Sequence, residues 1–221
     1  SSTMRGPVLW VNDGLAAGTA PTFTPDATCN AESAVLAALS PPSSPIPSSA
    51  SVPRFQSMVA GDVNADGKLD LLLGLRSASS SSAIGSEGSG AALLLSNAAG
   101  KFATILTPGT TECANAGQVL LGDMNGDSKL DLVCSSVSKT TVLLNDGTAT
   151  AFSPAGTITR GSSTRRCSMV ALGDVDGDGD LDMALAYVVG ANKVYRNGGD
   201  GATFTEVATS FSDAVNTFSV S

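Results

Sequence analysis

Three stretches of this 221-residue chain set oxygen-bearing side chains at alternate positions: DVNADGKLD from Asp62, DMNGDSKLD from Asp123 and DVDGDGDLD from Asp174. The first offers Asp62, Asn64, Asp66 and Asp70 at loop positions 1, 3, 5 and 9, with the Lys68 carbonyl as a natural donor at position 7. The second offers Asp123, Asn125, Asp127 and Asp131 with the Lys129 carbonyl; the third offers Asp174, Asp176, Asp178 and Asp182 with the Asp180 carbonyl. Carboxylates two residues apart on a tight turn repel one another unless a cation lies between them. The donors are all hard oxygens, without nitrogen or sulfur, and that selects Ca2+ over zinc or copper. The spacing therefore points to three calcium sites. The third window carries the most negative charge and is expected to bind most tightly. Gly67 at position 6 permits a sharp turn, whereas Ser128 stands there in the second window and predicts a strained turn or a weaker site.

An EF-hand loop begins the same way, but it needs a bidentate acid at position 12 and a following helix. Position 12 is Leu73, Cys134 or Leu185, and each window runs into a short apolar segment instead. Solvated acidic turns would explain one such window, but poorly explain three with one spacing. The chain carries 20 acidic and 12 basic residues, a net charge of −8. Eleven of the acids lie inside the windows, which leaves nine acids against ten bases elsewhere. The acidity thus reads as a metal requirement on a near-neutral scaffold. It argues against nucleic acid as a partner, since phosphate binding needs Lys/Arg surfaces.

The composition includes no histidine. That removes Ser-His-Asp and Cys-His nucleophilic pairs, HExxH zinc sites and the usual general base near neutrality. The remaining acids show no spacing that marks a glycosidase pair, so the chain is not read as an enzyme. Its longest apolar runs fall far short of the ~20 residues of a membrane span.

The elements that must position these loops also repeat. Each window follows an apolar segment ending in glycine (SMVAG, QVLLG, MVALG) and precedes another (LLLGL, LVCSS, MALAY). Between windows, VLWVNDG from Val8, LLLSNAAG from Leu93, VLLNDG from Val142 and VYRNGGDG from Val194 place a β-type run before an Asn/Gly turn. Phe23, Phe102, Phe152 and Phe204 then open the next run. Strand, Asn-Gly-type turn, strand is a strong hairpin signal. Each unit therefore reads as four short antiparallel strands in roughly 50 residues, the size of one β-propeller blade.

GDVNADGKLDLLLG, GDMNGDSKLDLVCS and GDVDGDGDLDMALA, each followed by an N-G-x-x-F-like turn, resemble FG-GAP/VCBS repeats, the blades of integrin-α-type β-propellers. The resemblance covers nearly the whole chain except residues 29–54. It implies an all-β fold, a β-propeller or a segment of one, built of four-stranded antiparallel blades with DxDxDG calcium loops. Each loop would join the first two strands of its blade, with the family's ligands falling on the aspartates and asparagines named above. It further implies a secreted or cell-surface module that binds glycan or extracellular protein, or serves adhesion. A second reading is a building block of an extracellular filament or wall glycoprotein, with copies of itself as partners. A third is a non-catalytic domain of a polysaccharide-active enzyme.

On this frame residues 1–221 form one propeller region. It comprises a partial blade over 8–28, a Ser/Pro-rich insertion over 29–54, and blades at about 55–112, 117–160 and 167–211. The start of a further blade follows at 213–221. Propellers close with ~4–8 blades, so the reading favours a segment whose remaining blades lie outside this chain over a split fourth blade. Within the insertion NAESAVLAAL predicts a short helix ended by Pro41-Pro42. The run SPPSSPIPSSASVP from Ser40 is polyproline-like and resembles hydroxyproline-rich wall glycoproteins, making Ser40–Ser51 a candidate for O-linked sugar. No Asn-x-Ser/Thr acceptor occurs, and no leader peptide is visible, as in a mature form. The stretch from Ser77 to Gly90 reads as a flexible loop within its blade.

Four cysteines allow three pairings, and at least one disulfide is expected in an oxidising setting. Cys29, Cys113 and Cys167 each precede a first strand and could meet at one rim. Cys134 falls inside a strand and reads as a buried thiol. Arg160, Arg165 and Arg166 form a small basic loop, read as solvated, and Trp10 reads as a core residue of a strand.

Overall fold

A computed structural model of the chain describes residues 10–12, 23–25, 54–76, 90–97, 102–108, 111–114, 116–159, 167–187 and 191–207. The helix expected within 29–39, the Ser/Pro run, the Ser77–Gly90 loop up to residue 89, the basic loop and the 213–221 strand lie outside these residues, as do Cys29 and the side chains of Cys167 and Trp10.

All regular structure among the described residues is β. Strands β1 (Trp10–Asn12) and β2 (Phe23–Pro25) pair antiparallel. Three four-stranded antiparallel sheets follow, each with its strands in chain order. Blade 1 comprises β3 (Arg54–Gly61), β4 (Asp70–Arg76), β5 (Ala91–Ser96) and β6 (Phe102–Leu106). Blade 2 comprises β7 (Gln118–Gly122), β8 (Asp131–Ser135), β9 (Lys139–Asn145) and β10 (Phe152–Thr159). Blade 3 comprises β11 (Cys167–Gly173), β12 (Asp182–Tyr187), β13 (Lys193–Asn197) and β14 (Phe204–Glu206). Three consecutive meanders of this kind fit a segment of β-propeller. The four phenylalanines singled out by the hairpin pattern each open a strand: β2, β6, β10 and β14. Each acidic window spans the connection between the first two strands of its blade, and a strand, not a helix, follows it.

The central strands are buried almost without interruption, and successive side chains point to opposite faces, so both sheet faces are covered and the cores lie between blades. Val63, Leu72, Ala91 and Leu93 of blade 1 pack with Val119, Leu132, Cys134 and Leu143 of blade 2. Met124, Val133, Val142 and Ile158 of blade 2 pack with Val170, Met183, Leu185 and Tyr187 of blade 3. Polar side chains also cross these joints. The Gln118 amide donates to the Val170 carbonyl (2.8 Å) and accepts from its N–H (2.6 Å), as a short β-bridge would. At the preceding joint Ser57 Oγ accepts from the Val119 N–H (2.9 Å).

Cys134 is not a free thiol. It forms a disulfide with Cys113, with the two Cα atoms 5.2 Å apart. Both residues are buried in the core between blades 1 and 2. The side chain of Cys134 faces blade 1, and the turn at 111–114 that leads into blade 2 passes over that face. Strand assignment alone does not reveal which segment crosses above a residue, and Cys113 pairs with a strand residue in place of another strand-preceding cysteine.

Candidate metal centres

Each acidic window is folded by its own carboxylates. The aspartate at position 1 accepts hydrogen bonds from backbone N–H groups at positions 5 and 6: Asp66 and Gly67 onto Asp62 (3.0 and 2.8 Å), Asp127 and Ser128 onto Asp123 (3.1 and 2.7 Å). In the third loop the Gly177, Asp178 and Gly179 N–H groups converge on Asp174 at 2.7–3.2 Å. The asparagine at position 3 accepts from position 5, at 3.2 Å in both loops that carry it. These bonds curl the loop so that alternate side chains turn inward.

Such a curl needs left-handed backbone at positions 4 and 6. Gly177 and Gly179 supply it in the third loop, with φ of 80° and 97°. In the first loop Ala65 occupies position 4 at φ 56°; in the second, Ser128 occupies position 6 at φ 65°. The strain expected at Ser128 is thus present, and Ala65 carries a matching one that the glycine at position 6 concealed. A non-glycine residue in this region costs ~1–2 kcal/mol, of which glycine's greater unfolded freedom returns about half. Ser128→Gly and Ala65→Gly are each expected to stabilise the calcium-free chain by about 0.5–1 kcal/mol. The urea midpoint should rise at unchanged m-value; an unchanged or lower midpoint would contradict the strain.

The aspartate at position 9 differs from the others. Asp70, Asp131 and Asp182 are each 0 % exposed. One oxygen accepts the position-2 N–H of its own loop: Val63 onto Asp70 (3.0 Å), Met124 onto Asp131 (2.9 Å), Val175 onto Asp182 (2.9 Å). The other accepts the N–H of the residue ending the third strand: Ser96 (2.9 Å), Asn145 (2.8 Å) and Asn197 (2.9 Å). Burial pushes the Asp131 carboxyl above the ordinary carboxylate range, against the pull of the Asn145 and Met124 N–H groups and with that of the Asp127 and Asp123 charges. A carboxylate oxygen has two lone pairs, so these bonds leave capacity for a cation.

Charge at position 7 divides the loops. The Lys68 ammonium lies 2.9 Å from Asp66, and the hydrogen bond holds that carboxyl below its usual range. In the second loop desolvation pulls Asp127 upward, but hydrogen bonds from the Lys129 side chain (3.1 Å) and N–H outweigh it. The third loop has Asp180 in place of lysine. Its carboxyl is pushed up by desolvation and by the charges of Asp178, Asp174, Asp182 and Asp176. Here ligand atoms of Asp174, Asp176 and Asp182 lie within 4.8 Å of one another. Arg196 pairs with Asp176 at 3.2 Å from the rim. Three carboxylates converging on one point, all oxygen and no lysine, suit a divalent hard cation.

One functional type escaped the sequence reading. Asn145 and Asn197, read there only as turn formers, are buried and reach into the preceding blade. Asn145 Nδ2 donates to the Val63 carbonyl of the first loop (2.8 Å) and to Leu130 (3.0 Å). Asn197 Nδ2 donates to the Met124 carbonyl of the second loop (2.7 Å) and to Leu181 (3.1 Å). Their Oδ1 atoms hold the turn, accepting from Gly147 and Ala149, and from Gly199 and Gly201. Asn-Gly and Asn-Asp-Gly signatures mark a turn in any hairpin, so nothing in the local pattern signals the second duty.

The second and third loops, with the strands between them, match the family model described as "FG-GAP-like repeat" over residues 123–185. Residues 123–185 are thus similar to an FG-GAP-like repeat. No curated protein matches the chain at comparable significance. Among solved structures, similarity extends to an Agrocybe aegerita lectin described as recognising non-reducing terminal N-acetylglucosamine. Identity is 21 %, the TM-score 0.48, and the match covers 75 % of this chain and 39 % of the lectin. The Photorhabdus luminescens Tc holotoxin pore also matches at 18 % identity and TM-score 0.34, over 92 % of this chain and 11 % of that one. The chain thus spans about two fifths and about one tenth of these structures.

Proposed function

We propose that the three loops of this FG-GAP-like chain hold Ca2+ and that the chain is a calcium-stabilised extracellular module that binds glycan or protein and does not catalyse. The observation that carries the reading is the convergence of Asp174, Asp176 and Asp182 within 4.8 Å in a loop built like its two neighbours. Position-1, position-3 and position-5 side chains would supply the exposed ligands, the position-7 carbonyl another, and the buried position-9 aspartate the anchor. Lys68 and Lys129 already offset charge in the first two loops. The third loop, with five carboxylates and glycine at both left-handed positions, is then the tightest site.

Bound calcium stabilises the folded chain by about 2.7 kcal/mol per site when free metal reaches roughly a hundred times Kd. For a chain of this size that is about 5 °C or more in Tm per site. Removing calcium with EDTA should lower Tm accordingly, and Asp176→Ala should abolish the largest single share. An unchanged Tm with no metal by elemental analysis sinks the calcium reading. A glycan array probed with the calcium-loaded chain then tests what the module binds.

The assembly reading has a specific observation of its own. The exposed large hydrophobics among the described residues are Met58, Leu69 and Val175. Val175 is 59 % exposed, whereas its counterparts at loop position 2, Val63 and Met124, are 2 % and 1 % exposed beneath the following blade. Apolar positions covered at the inner joints are thus exposed on blades 1 and 3, where a further blade of the same protein or a second copy would cover them. Concentration-dependent self-association in sedimentation would favour the assembly reading; a monomer at all concentrations would leave the soluble binding module.

A further inference from the structure

The three loops are not separate sites. A single path of hydrogen bonds runs through them. It starts where the Val63 N–H donates to Asp70 and the Val63 carbonyl accepts the Asn145 amide across the first joint. The backbone N–H of Asn145 then donates to Asp131, whose other oxygen takes the Met124 N–H. The Met124 carbonyl accepts the Asn197 amide across the second joint, and the Asn197 N–H donates to Asp182, which holds Val175. Every intermediate member is buried: Val63, Met124, Asp131, Asn145 and Asn197 are each at most 4 % exposed. Both joints use the same atoms at the same loop positions, 82 and 73 residues apart along the chain.

Resting on the calcium reading above, we propose that Asn145 and Asn197 are positioning residues for the metal loop of the blade before them, linking calcium occupancy of neighbouring loops across each joint. The peptide at loop position 2 adjoins the position-1 and position-3 ligands. Its N–H is fixed by the position-9 aspartate and its carbonyl by the next blade's asparagine, so the ligand-bearing backbone is held at both ends. Without the amide, the carbonyl of Val63 or Met124 would be left buried and unpaired, and the loop would shift to rehydrate it. The same asparagine fixes Asp131 or Asp182 in its own blade through its N–H, so a change in one loop is felt in the next. Outer partners of this kind are typically worth roughly tenfold in metal affinity. The dependence is reciprocal, because linkage between two bound states is symmetric.

Blade 1 supplies a natural contrast. Ser96 stands where Asn145 and Asn197 stand, and its N–H still reaches Asp70. Its Oγ is buried without a hydrogen-bond partner. A serine therefore keeps the link within the blade and lacks the amide that crosses the joint, which makes Asn→Ser the appropriate substitution.

The test is a calcium titration of the isotope-labelled full chain followed by NMR. Backbone amides of Gly67, Gly126 and Gly177 lie one in each loop and report each loop's own binding curve. Asn197→Ser is expected to move the Gly126 curve to about tenfold higher calcium, although Asn197 belongs to blade 3. Asn145→Ser should move the Gly67 curve likewise. A purely structural role would lower Tm without selecting the preceding loop. In the unsubstituted chain, calcium should also slow exchange of the Asn145 and Asn197 side-chain amide protons, a readout that needs no variant. If calcium shifts the glycine amides but Asn197→Ser leaves the Gly126 curve in place, or the side-chain exchange does not slow, the coupling is overturned alone. If no glycine amide responds to calcium, the metal reading falls with it.

Discussion

Asp131→Ala is expected to cost the calcium-free chain about 4 kcal/mol, a large fraction of the 5–15 kcal/mol typical of a folded domain. The carboxylate is fully buried, and its two oxygens are the acceptors for the Met124 and Asn145 N–H groups. Alanine leaves both donors without a partner in a low-dielectric joint, at roughly 1–3 kcal/mol each, and opens a small void between loop and sheet. The effect should appear in chelator, so lost metal contributes nothing to it. Asp127→Ala provides the comparison, because that carboxylate lies at the surface and pairs with Lys129 in the same loop. Its substitution should cost under about 1 kcal/mol without calcium and act mainly on metal binding. Equal losses at the two positions in urea unfolding would show that the buried aspartate is not the anchor described here.

The second large effect concerns the joint between blades 1 and 2. Cys113 and Cys134 close a loop of 21 residues of sequence separation, and both sulfur-bearing residues lie in the inter-blade core. Tying the unfolded chain over such a length is worth about 3 kcal/mol in the chain-entropy account. Cys113→Ala combined with Cys134→Ala should lose about that amount, seen as a lower urea midpoint that added reductant does not lower further. Reduction of the unsubstituted chain should produce a similar loss. A double variant as stable as the parent would place the bond outside the determinants of stability.

Much of this architecture was legible because its signals are local. The short apolar runs, the Asn/Gly turns and the opening phenylalanines each concern a few adjacent residues, and the strands fall where they point. The acidic loops were legible for the same reason: an apolar or cysteine residue at position 12 (Leu73, Cys134, Leu185) and the short apolar run around it argue against an EF-hand helix after Asp70, Asp131 and Asp182. What stayed hidden depends on residues far apart in the chain. The sequence presents Cys134 as one strand residue among five and does not indicate that the 111–114 turn crosses its face. Asn145 and Val63 are 82 residues apart, so the brace between them exists only once the blades are stacked. Ala65 was hidden by averaging, since glycine is the usual marker of left-handed backbone and the first loop puts its glycine two residues later. The division of labour among the aspartates was also invisible, because identical side chains at positions 1, 5 and 9 differ only in what surrounds them.

The reach of each asparagine one blade backward gives synthesis a direction. The loop beginning at Asp62 emerges well before Asn145, the residue whose amide braces it, and the loop beginning at Asp123 emerges before Asn197. These two loops therefore leave the ribosome before their braces, and each receives its brace only from the third strand of the blade that follows. Domains made from the N-terminus onward generally fold in that order, and here completion of one loop coincides with docking of the next blade.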